Sequence, residues 1–321
     1  MEKFPYPSWS YNRVDGMNKL IIVFLVFLTC NSSEKKMLGS REINYLNQRA
    51  PGFIPVIFAP GIISTQAFEF AFSFSQGGDE CVFTRRTSFE SSDNRIFYSK
   101  LVGSEWEMPL KAIFGKDCFE FEPVFSPDGS RIYFGSERPL PGSQQMRHND
   151  EKIWYSELVS GRRQQAKFLE GRLNDGFVMN AAPVADGGLY FCGEAANKSG
   201  IFKAIQVNHR YDSLVYQFDG IHPFVDPGER FILYDKIEGK DMDRTAIYLR
   251  MKNSMGTWGS EIRLTDLVNK TGTESHASVS PDHLYLFFQR QGDIYWMDVR
   301  GIKALFQLYS GHVFEMNPSG L

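Results

Sequence analysis

The chain has 321 residues, with 35 basic and 38 acidic side chains and a formal net charge of −3. Neither charge forms a long run, so a nucleic-acid-binding surface is not indicated. Aromatic residues make up 15% of the chain, and 28 Gly accompany 28 Phe and 14 Tyr. This composition favours many short, half-buried strands joined by tight turns.

An export signal is predicted near the amino terminus, with Met17 as the expected true start. The apolar run 20–28 suits a secretory signal and is too short to span a bilayer, which needs about 20 residues. Cys30 resembles the lipidated cysteine of a bacterial lipobox, although Phe27 and Thr29 depart from its usual residues. We therefore expect an exported lipoprotein, periplasmic or in the outer membrane, that contacts the membrane only through its lipid anchor. A plain signal peptide or an uncleaved anchor stays open.

One strand–turn–strand unit recurs five times along the chain. Its clearest copy is 122–134, EPVFSPDGSRIYF. In its turn, Pro127 presets φ, Asp128 can bond the backbone two residues on, and Gly129 accepts a positive φ, so the unit is predicted to be a hairpin. The turn is altered to different degrees in the other copies, which lie at 74–83, 185–191, 225–234 and 279–288.

Further strands follow the hairpins, for example at 152–155 and 166–169. Four strands per repeat make one blade of a β-propeller. The last copy ends after its third strand, at 293–297, and an unused strand at 55–59 precedes the first copy. That strand is predicted to complete the last blade, which closes the ring and removes its open edges.

The predicted fold is therefore an all-β propeller with five blades, and six stay open if the stretch 135–180 contains a divergent blade. The predicted division of the chain is a signal peptide (1–30), a polar tether (31–50), one propeller domain (51–310) and a tail (311–321).

The Ser-Pro-Asp-Gly hairpins resemble the TolB-type propeller repeat over roughly residues 52–300. The opening at 45–48, 51–52 and 58–61 is also similar to that of uncharacterised exported members of this group. The resemblance implies the propeller fold. It does not imply the role of TolB in the envelope, because the chain has no room for the additional N-terminal domain of TolB.

Equivalent positions of the repeats are expected to meet around the central channel, because the first strand of each blade lines it. The position of Glu122 is matched by Ala71, Asn180, His222 and His276. Two residues earlier stand Glu69, Glu120 and Glu274. Polar residues at one register predict a hydrogen-bonding channel mouth and a binding site. A water-filled channel without a specific ligand is the alternative.

Two histidines and a carboxylate can hold a divalent metal if they converge. We expect neither a metal nor a cofactor, because backbone positions in different blades are predicted to lie too far apart for bonds of about 2 Å. Cys81, Cys118 and Cys192 show no CxxC spacing. Neither a disulfide framework nor a zinc site is supported, and Cys81 and Cys192 are expected to be small buried apolar residues.

A second set of charges follows the second strands of the repeats. Its members are Arg85, Arg86, Glu137, Arg138, Glu194, Lys236 and Arg290. They are expected to form salt bridges between blades. Contact with an anionic ligand through Arg86, Arg138, Lys236 and Arg290 is the second interpretation.

The catalytic motifs of common enzyme families are absent from the sequence: it has no G-x-S-x-G, H-E-x-x-H, Walker, Rossmann or Asp-box pattern. The sequence therefore predicts a monomeric, non-catalytic propeller at the bacterial envelope that binds an unknown envelope protein or glycan. The alternative is an envelope hydrolase acting on glycans or peptides, with a carboxylate pair drawn from Glu69, Glu120, Glu122 and Glu274.

Overall fold

The computed structural model describes residues 43–309, apart from 116–117, 146–149 and 240–243. The strands of this part of the chain form five antiparallel sheets. The innermost strand of each sheet contacts the innermost strands of the two neighbouring sheets, and these contacts run around a closed circle. The protein is a five-bladed β-propeller, as predicted.

The first strand, β1 (Val56–Ile57), belongs to the last blade. Blade one consists of β2 (Phe68–Phe74), β3 (Glu80–Arg86), β4 (Arg95–Val102), β5 (Glu105–Trp106) and β6 (Leu110–Lys111). Blade two consists of β7 (Glu120–Phe125), β8 (Arg131–Ser136), β9 (Lys152–Val159), β10 (Arg162–Arg163) and β11 (Lys167–Phe168). Blade three consists of β12 (Val178–Pro183), β13 (Leu189–Ala195), β14 (Lys198–Val207) and β15 (Arg210–Phe218).

Blade four consists of β16 (Ile221–Val225), β17 (Phe231–Ile237), β18 (Thr245–Met251) and β19 (Ile262–Arg263). Blade five consists of β20 (Ser275–Val279), β21 (Tyr285–Arg290), β22 (Asp293–Asp298) and β1. Two 3₁₀ turns, Arg172–Asn174 and Val299–Gly301, and one α-helix, α1 (Lys303–Tyr309), complete the described residues. The stretch 135–180 is shared between blades two and three, so it does not contain a sixth blade.

The ring closes as predicted, by pairing of the early strand β1 with β22. Val56 pairs with Trp296 in antiparallel register, and Phe58 N–H donates to the carbonyl of Ile294 at 2.8 Å. The Gln48 side chain holds this strand from the other side, since its amide donates to Ile57 O at 2.9 Å and accepts from Ala59 N at 2.6 Å. The pairing leaves the last blade with four strands like its neighbours.

The propeller begins earlier than the boundary predicted at residue 51. Tyr45 and Leu46 are buried against blades one and five, and the Trp106 indole donates to Asn44 O at 2.9 Å. The described end of the predicted tether is therefore part of the folded body. The predicted signal peptide with Met17 and Cys30, and the tail at 311–321, lie outside the described residues. Within those residues, no helix is long and apolar enough to cross a bilayer.

Apolar packing between blades accounts for the high Phe content. Five clusters of buried side chains fill the five boundaries between neighbouring blades. At the boundary where the ring closes, the Phe58 ring lies 5.1 Å from the rings of Phe72 and Trp296 and 5.0 Å from that of Phe287. Aromatic pairs at such distances stabilise a core beyond the effect of the buried area alone.

The hairpin turns follow the predicted chemistry. Ser126 Oγ accepts from Arg131 N at 2.9 Å and donates to Asp128 at 2.6 Å, and Gly129 takes a φ of 69°. The equivalent turn residue has a positive φ in every copy; these residues are Gly78, Gly129, Gly187, Glu229 and His283. Two copies therefore place a side chain where glycine is preferred, which explains why their turns are hard to recognise in the sequence.

The three cysteines of the described residues are free and buried, as expected for Cys81 and Cys192. Burial raises the pKa of the Cys192 thiol to about 12 and also raises the pKa of Cys81. Neither thiol is activated as a nucleophile, because the thiolate is the reactive form.

Candidate functional site: a histidine–glutamate cluster in the channel

The five aligned channel positions are structurally equivalent. Each innermost strand has a β-bulge at this point, for example between Phe121 and Val124 in β7. The bulge residues share a left-handed backbone: Ala71 (φ 52°), Glu122 (54°), Asn180 (51°), His222 (49°) and His276 (52°). This conformation costs roughly 1–2 kcal/mol for a residue other than glycine. The fold therefore holds five strained residues around one axis.

Three of these side chains meet in the channel. Glu122 Oε1 lies 3.1 Å from His276 Nε2 and 3.3 Å from His222 Nε2. The two imidazole rings stack with their centroids 3.7 Å apart. One ligand atom from each residue lies within 4.8 Å of the others. The expectation that residues of different blades lie too far apart to share an ion is therefore wrong, because these side chains reach across the narrow channel.

Two polar residues on second strands, Asp235 and Thr84, each accept a hydrogen bond from the backbone of the bulge in the next blade. Asp235 Oδ2 accepts from His276 N–H at 2.9 Å and lies 2.7 Å from His222 Nδ1. Thr84 Oγ1 accepts from Glu122 N–H at 2.8 Å. Sequence reasoning missed both residues. The sequence did carry a signal for them, since each is a polar residue inside an otherwise apolar second strand. Asp235 pairs with Ile221 and Thr84 pairs with Phe70, the residues just before the bulges of their own blades.

Burial and neighbouring charges shift the pKa values of the three clustered side chains in different directions. Burial raises the pKa of Glu122 to about 7, against the opposing charge of His222. Burial also disfavours the His222 cation, but the hydrogen bond with Asp235 and the charge of Glu122 outweigh it and raise its pKa. Burial and the charge of His222 hold the pKa of His276 well below its usual value. The lowered pKa favours the neutral imidazole of His276, whose two ring nitrogens lie within hydrogen-bonding distance of Ser275 Oγ and Glu122 Oε1.

Buried acceptor oxygens gather at the same place. Glu122 Oε2, Asn180 Oδ1 and Asp235 Oδ1 are shielded from solvent and accept no well-formed hydrogen bond from the described residues, although the Asn180 amides lie near enough to lower the pKa of Glu122. Most buried polar atoms of folded proteins are paired, and an unpaired one costs about 1–3 kcal/mol. Three unpaired acceptors around one channel indicate a site for a hydrogen-bond donor or a cation.

The other predicted glutamates do not join this cluster. Glu69, Glu120 and Glu274 are buried and pair with an arginine of their own blade; the partners are Arg85, Arg138 and Arg290. Arg290 donates to Glu274 at 2.8 Å and to the carbonyls of Leu267 and Val268, also at 2.8 Å. The Arg290 pair thus links the second strand of its blade to the segment that precedes the first strand.

The predicted salt bridges between blades are wrong for these residues. Arg138 and Arg290 pair within a blade, and so does Lys236, which lies 2.9 Å from Glu261. Bridges between blades occur elsewhere, for example Arg163 with Glu80 at 2.6 Å.

Arg86 is the second-strand cation that faces the cluster. Its guanidinium carbon lies 4.4 Å from the centre of the Phe68 ring, and its charge contributes to the lowered pKa of His276.

Known proteins resemble this chain only distantly. No protein-family model and no curated protein matches the sequence. TolB from Acinetobacter baumannii is similar in structure, with 17% identity, a TM-score of 0.45, and coverage of 73% of this chain and 55% of that one. An α-L-arabinofuranosidase from Lactobacillus brevis has 14% identity, a TM-score of 0.47, and coverage of 69% and 83%. A gluconolactonase from Xanthomonas campestris has 11% identity, a TM-score of 0.41, and coverage of 80% and 98%.

This chain spans about half the length of the TolB chain. All three TM-scores lie below 0.5, so these similarities carry no conclusion about function.

Proposed function

We propose that the protein is a non-catalytic binding propeller of the bacterial envelope, which takes a small polar ligand in the channel at Glu122, Asn180, His222 and His276. The observation that carries this proposal is the group of buried acceptors at the channel centre that accept no well-formed hydrogen bond from the described residues. A bound ligand that supplies donors or positive charge removes the cost of burying them.

The alternative of a hydrolase loses most of its candidate carboxylates. A glycosidase needs two carboxyl groups that flank one bond, and one of them must carry a proton. Glu69, Glu120 and Glu274 are each bound to an arginine, and hydrogen bonds from Thr271 and Arg290 outweigh burial and lower the pKa of Glu274. Of the four glutamates predicted for such a pair, only Glu122 is not bound to an arginine, so these four do not supply the two carboxyl groups.

Thermal unfolding tests ligand binding. The full chain is heated with the low-molecular-mass fraction of an envelope extract and with defined uronates and amino sugars. We expect at least one probe to raise the unfolding midpoint of the wild type by about 2–4 °C, the shift for about 1 kcal/mol of added stability. The Glu122→Gln/Asn180→Ala variant should show no shift, and Glu261→Gln, on the blade edge, should behave as wild type.

Two results contradict the proposal. Equal shifts in the wild type and the channel variant exclude the channel as the binding site. Release of a product from an envelope glycan by the wild type, but not by Glu122→Gln, makes the protein an enzyme.

Location is tested separately. If Cys30 carries a lipid anchor, Cys30→Ala moves the protein from the membrane fraction to the soluble periplasmic fraction. Retention of the variant in membranes contradicts the lipid anchor and favours an uncleaved amino-terminal segment.

A further inference from the structure

We propose that Glu122, His222 and His276 bind one divalent transition-metal ion of the Zn²⁺ type at the centre of the channel. This inference rests on the proposed function, because it names the ligand class of the same site.

The distances suit such an ion. Bonds of about 2.0–2.2 Å in tetrahedral geometry separate two ligand atoms by about 3.3–3.6 Å. Glu122 Oε1 lies 3.3 Å from His222 Nε2 and 3.1 Å from His276 Nε2. Two imidazoles and one carboxylate are a donor set for zinc and the later transition metals, whereas calcium and magnesium prefer oxygen ligands alone.

The surrounding hydrogen bonds turn the lone pairs of the cluster toward one point. Asp235 Oδ2 lies 2.7 Å from His222 Nδ1, which assigns the ring proton of the neutral imidazole to Nδ1 and turns Nε2 toward Glu122 Oε1. In the metal-free protein a proton joins these two atoms, and a bound cation would take the place of that proton. A carboxylate behind a metal-binding histidine is the usual way in which such a ring is oriented.

A second, independent feature points to a cation. Glu122 is only 3% exposed, and its other carboxylate oxygen, Oε2, accepts no well-formed hydrogen bond from the described residues. Ser275 Oγ lies 2.8 Å from His276 Nδ1, so this ring is also held from behind. Three protein ligands leave a fourth metal position, which can accept a water molecule or an anionic group of the bound molecule.

Zinc titration of the full chain tests the inference. The protein is purified without a histidine tag, stripped with a chelator, and titrated with Zn²⁺ against a chromophoric competitor. We expect one tight site per chain. Glu122→Gln, His222→Gln and His276→Gln should each weaken it by more than about 100-fold, whereas Asp235→Asn, a change behind the ligand, should weaken it by about 10–100-fold. His209→Gln is the matched control, because His209 is exposed and far along the chain from the cluster.

Cobalt provides a reading that does not depend on the variants folding. Co²⁺ added to the wild type should give the intense visible bands of tetrahedral coordination, and one equivalent of Zn²⁺ should abolish them. The inference is overturned if the wild type binds no Zn²⁺, or if folded Glu122→Gln and His276→Gln bind it as the wild type does.

The results separate this inference from the proposed function. If Zn²⁺ does not bind but an organic probe still shifts the midpoint of the wild type alone, the metal site is excluded and the binding function stands. If Zn²⁺ binds and no organic probe shifts the midpoint, the metal site stands and the wider binding function fails.

Discussion

Glu120 and Glu122 lie two residues apart on one strand and are both buried, yet their surroundings differ. Glu120 is bound by Arg138 of its own blade. Glu122 meets two imidazoles, and one of its oxygens accepts no well-formed hydrogen bond from the part of the chain that the structure describes. The same contrast separates the three Arg–Glu pairs at the blade entrances from the cluster in the channel. A buried charge that is fully paired holds the fold together, whereas a buried acceptor without a donor marks a place for a ligand.

Breaking a blade-entrance pair should give the largest effect. Arg290→Met removes the positive charge beside the buried Glu274, which keeps its hydrogen bonds from Lys270, Thr271 and Gly272, and frees the two carbonyls that Arg290 binds. We expect a loss of about 3–5 kcal/mol in the free energy of unfolding, measured by urea denaturation. Lys236→Met, which breaks an exposed pair, should cost at most about 1 kcal/mol. Equal losses in the two variants would mean that the buried pairs have no special role.

The pH dependence of the stability contributed by Asp226 tests whether pairing, rather than burial, sets the ionisation state of a buried carboxylate. Burial opposes the ionisation of Asp226, but hydrogen bonds from Arg230, at 2.7 and 2.9 Å, outweigh it and lower the pKa. A lowered pKa stabilises the fold above the unfolded value of about 3.9, and this contribution is lost as the pH falls.

Asp226→Asn should therefore cost about 1–2 kcal/mol at neutral pH. The difference from the wild type should shrink as the pH falls below about 4. Urea midpoints measured across this range check the sign, and a difference that does not change with pH contradicts it.

Thr84→Val should have a smaller effect, confined to the support of the channel cluster. The change removes the acceptor of the Glu122 N–H while almost preserving the side-chain shape. We expect a loss of about 1 kcal/mol and faster amide hydrogen exchange in the peptide that contains Glu122. If exchange there is unchanged, Thr84 does not hold the bulge.

Glu122→Gln should have the smallest effect on stability. A neutral amide is less costly to bury than a carboxylate, and the amide oxygen can still accept from the imidazoles. We expect a change of less than about 1 kcal/mol in urea denaturation without added ligand. A loss as large as that of Arg290→Met would make Glu122 a structural residue and would remove the contrast between the two regions.

Much of the architecture could be predicted from the sequence. The hairpin repeats identify five blades, the early strand at 55–59 closes the ring, and the aligned positions of Glu122, Asn180, His222 and His276 occupy the same bulge. These features depend on local turn chemistry and on alternation along strands, which a linear pattern records.

The partners of the charged residues could not be predicted in the same way. Alignment drew attention to Arg86, but Arg85 is the residue that binds Glu69. It also grouped Glu120 with Glu122, although the two point into different surroundings. A shift of one residue along a strand moves a side chain to the other face of the sheet. When the register is uncertain, the sequence therefore cannot tell a side chain that lines the channel from one that forms a buried ion pair.

By itself, the sequence determined that this chain folds as a closed ring of repeated four-stranded blades, because the turns and the strand periodicity are local properties. Only the tertiary structure decided which side chains meet at the axis. The blades are far apart in sequence, and the bulge, the narrow channel and Asp235 together bring Glu122, His222 and His276 to hydrogen-bonding distance. Convergence of this kind depends on the geometry of the whole ring, which no single repeat contains.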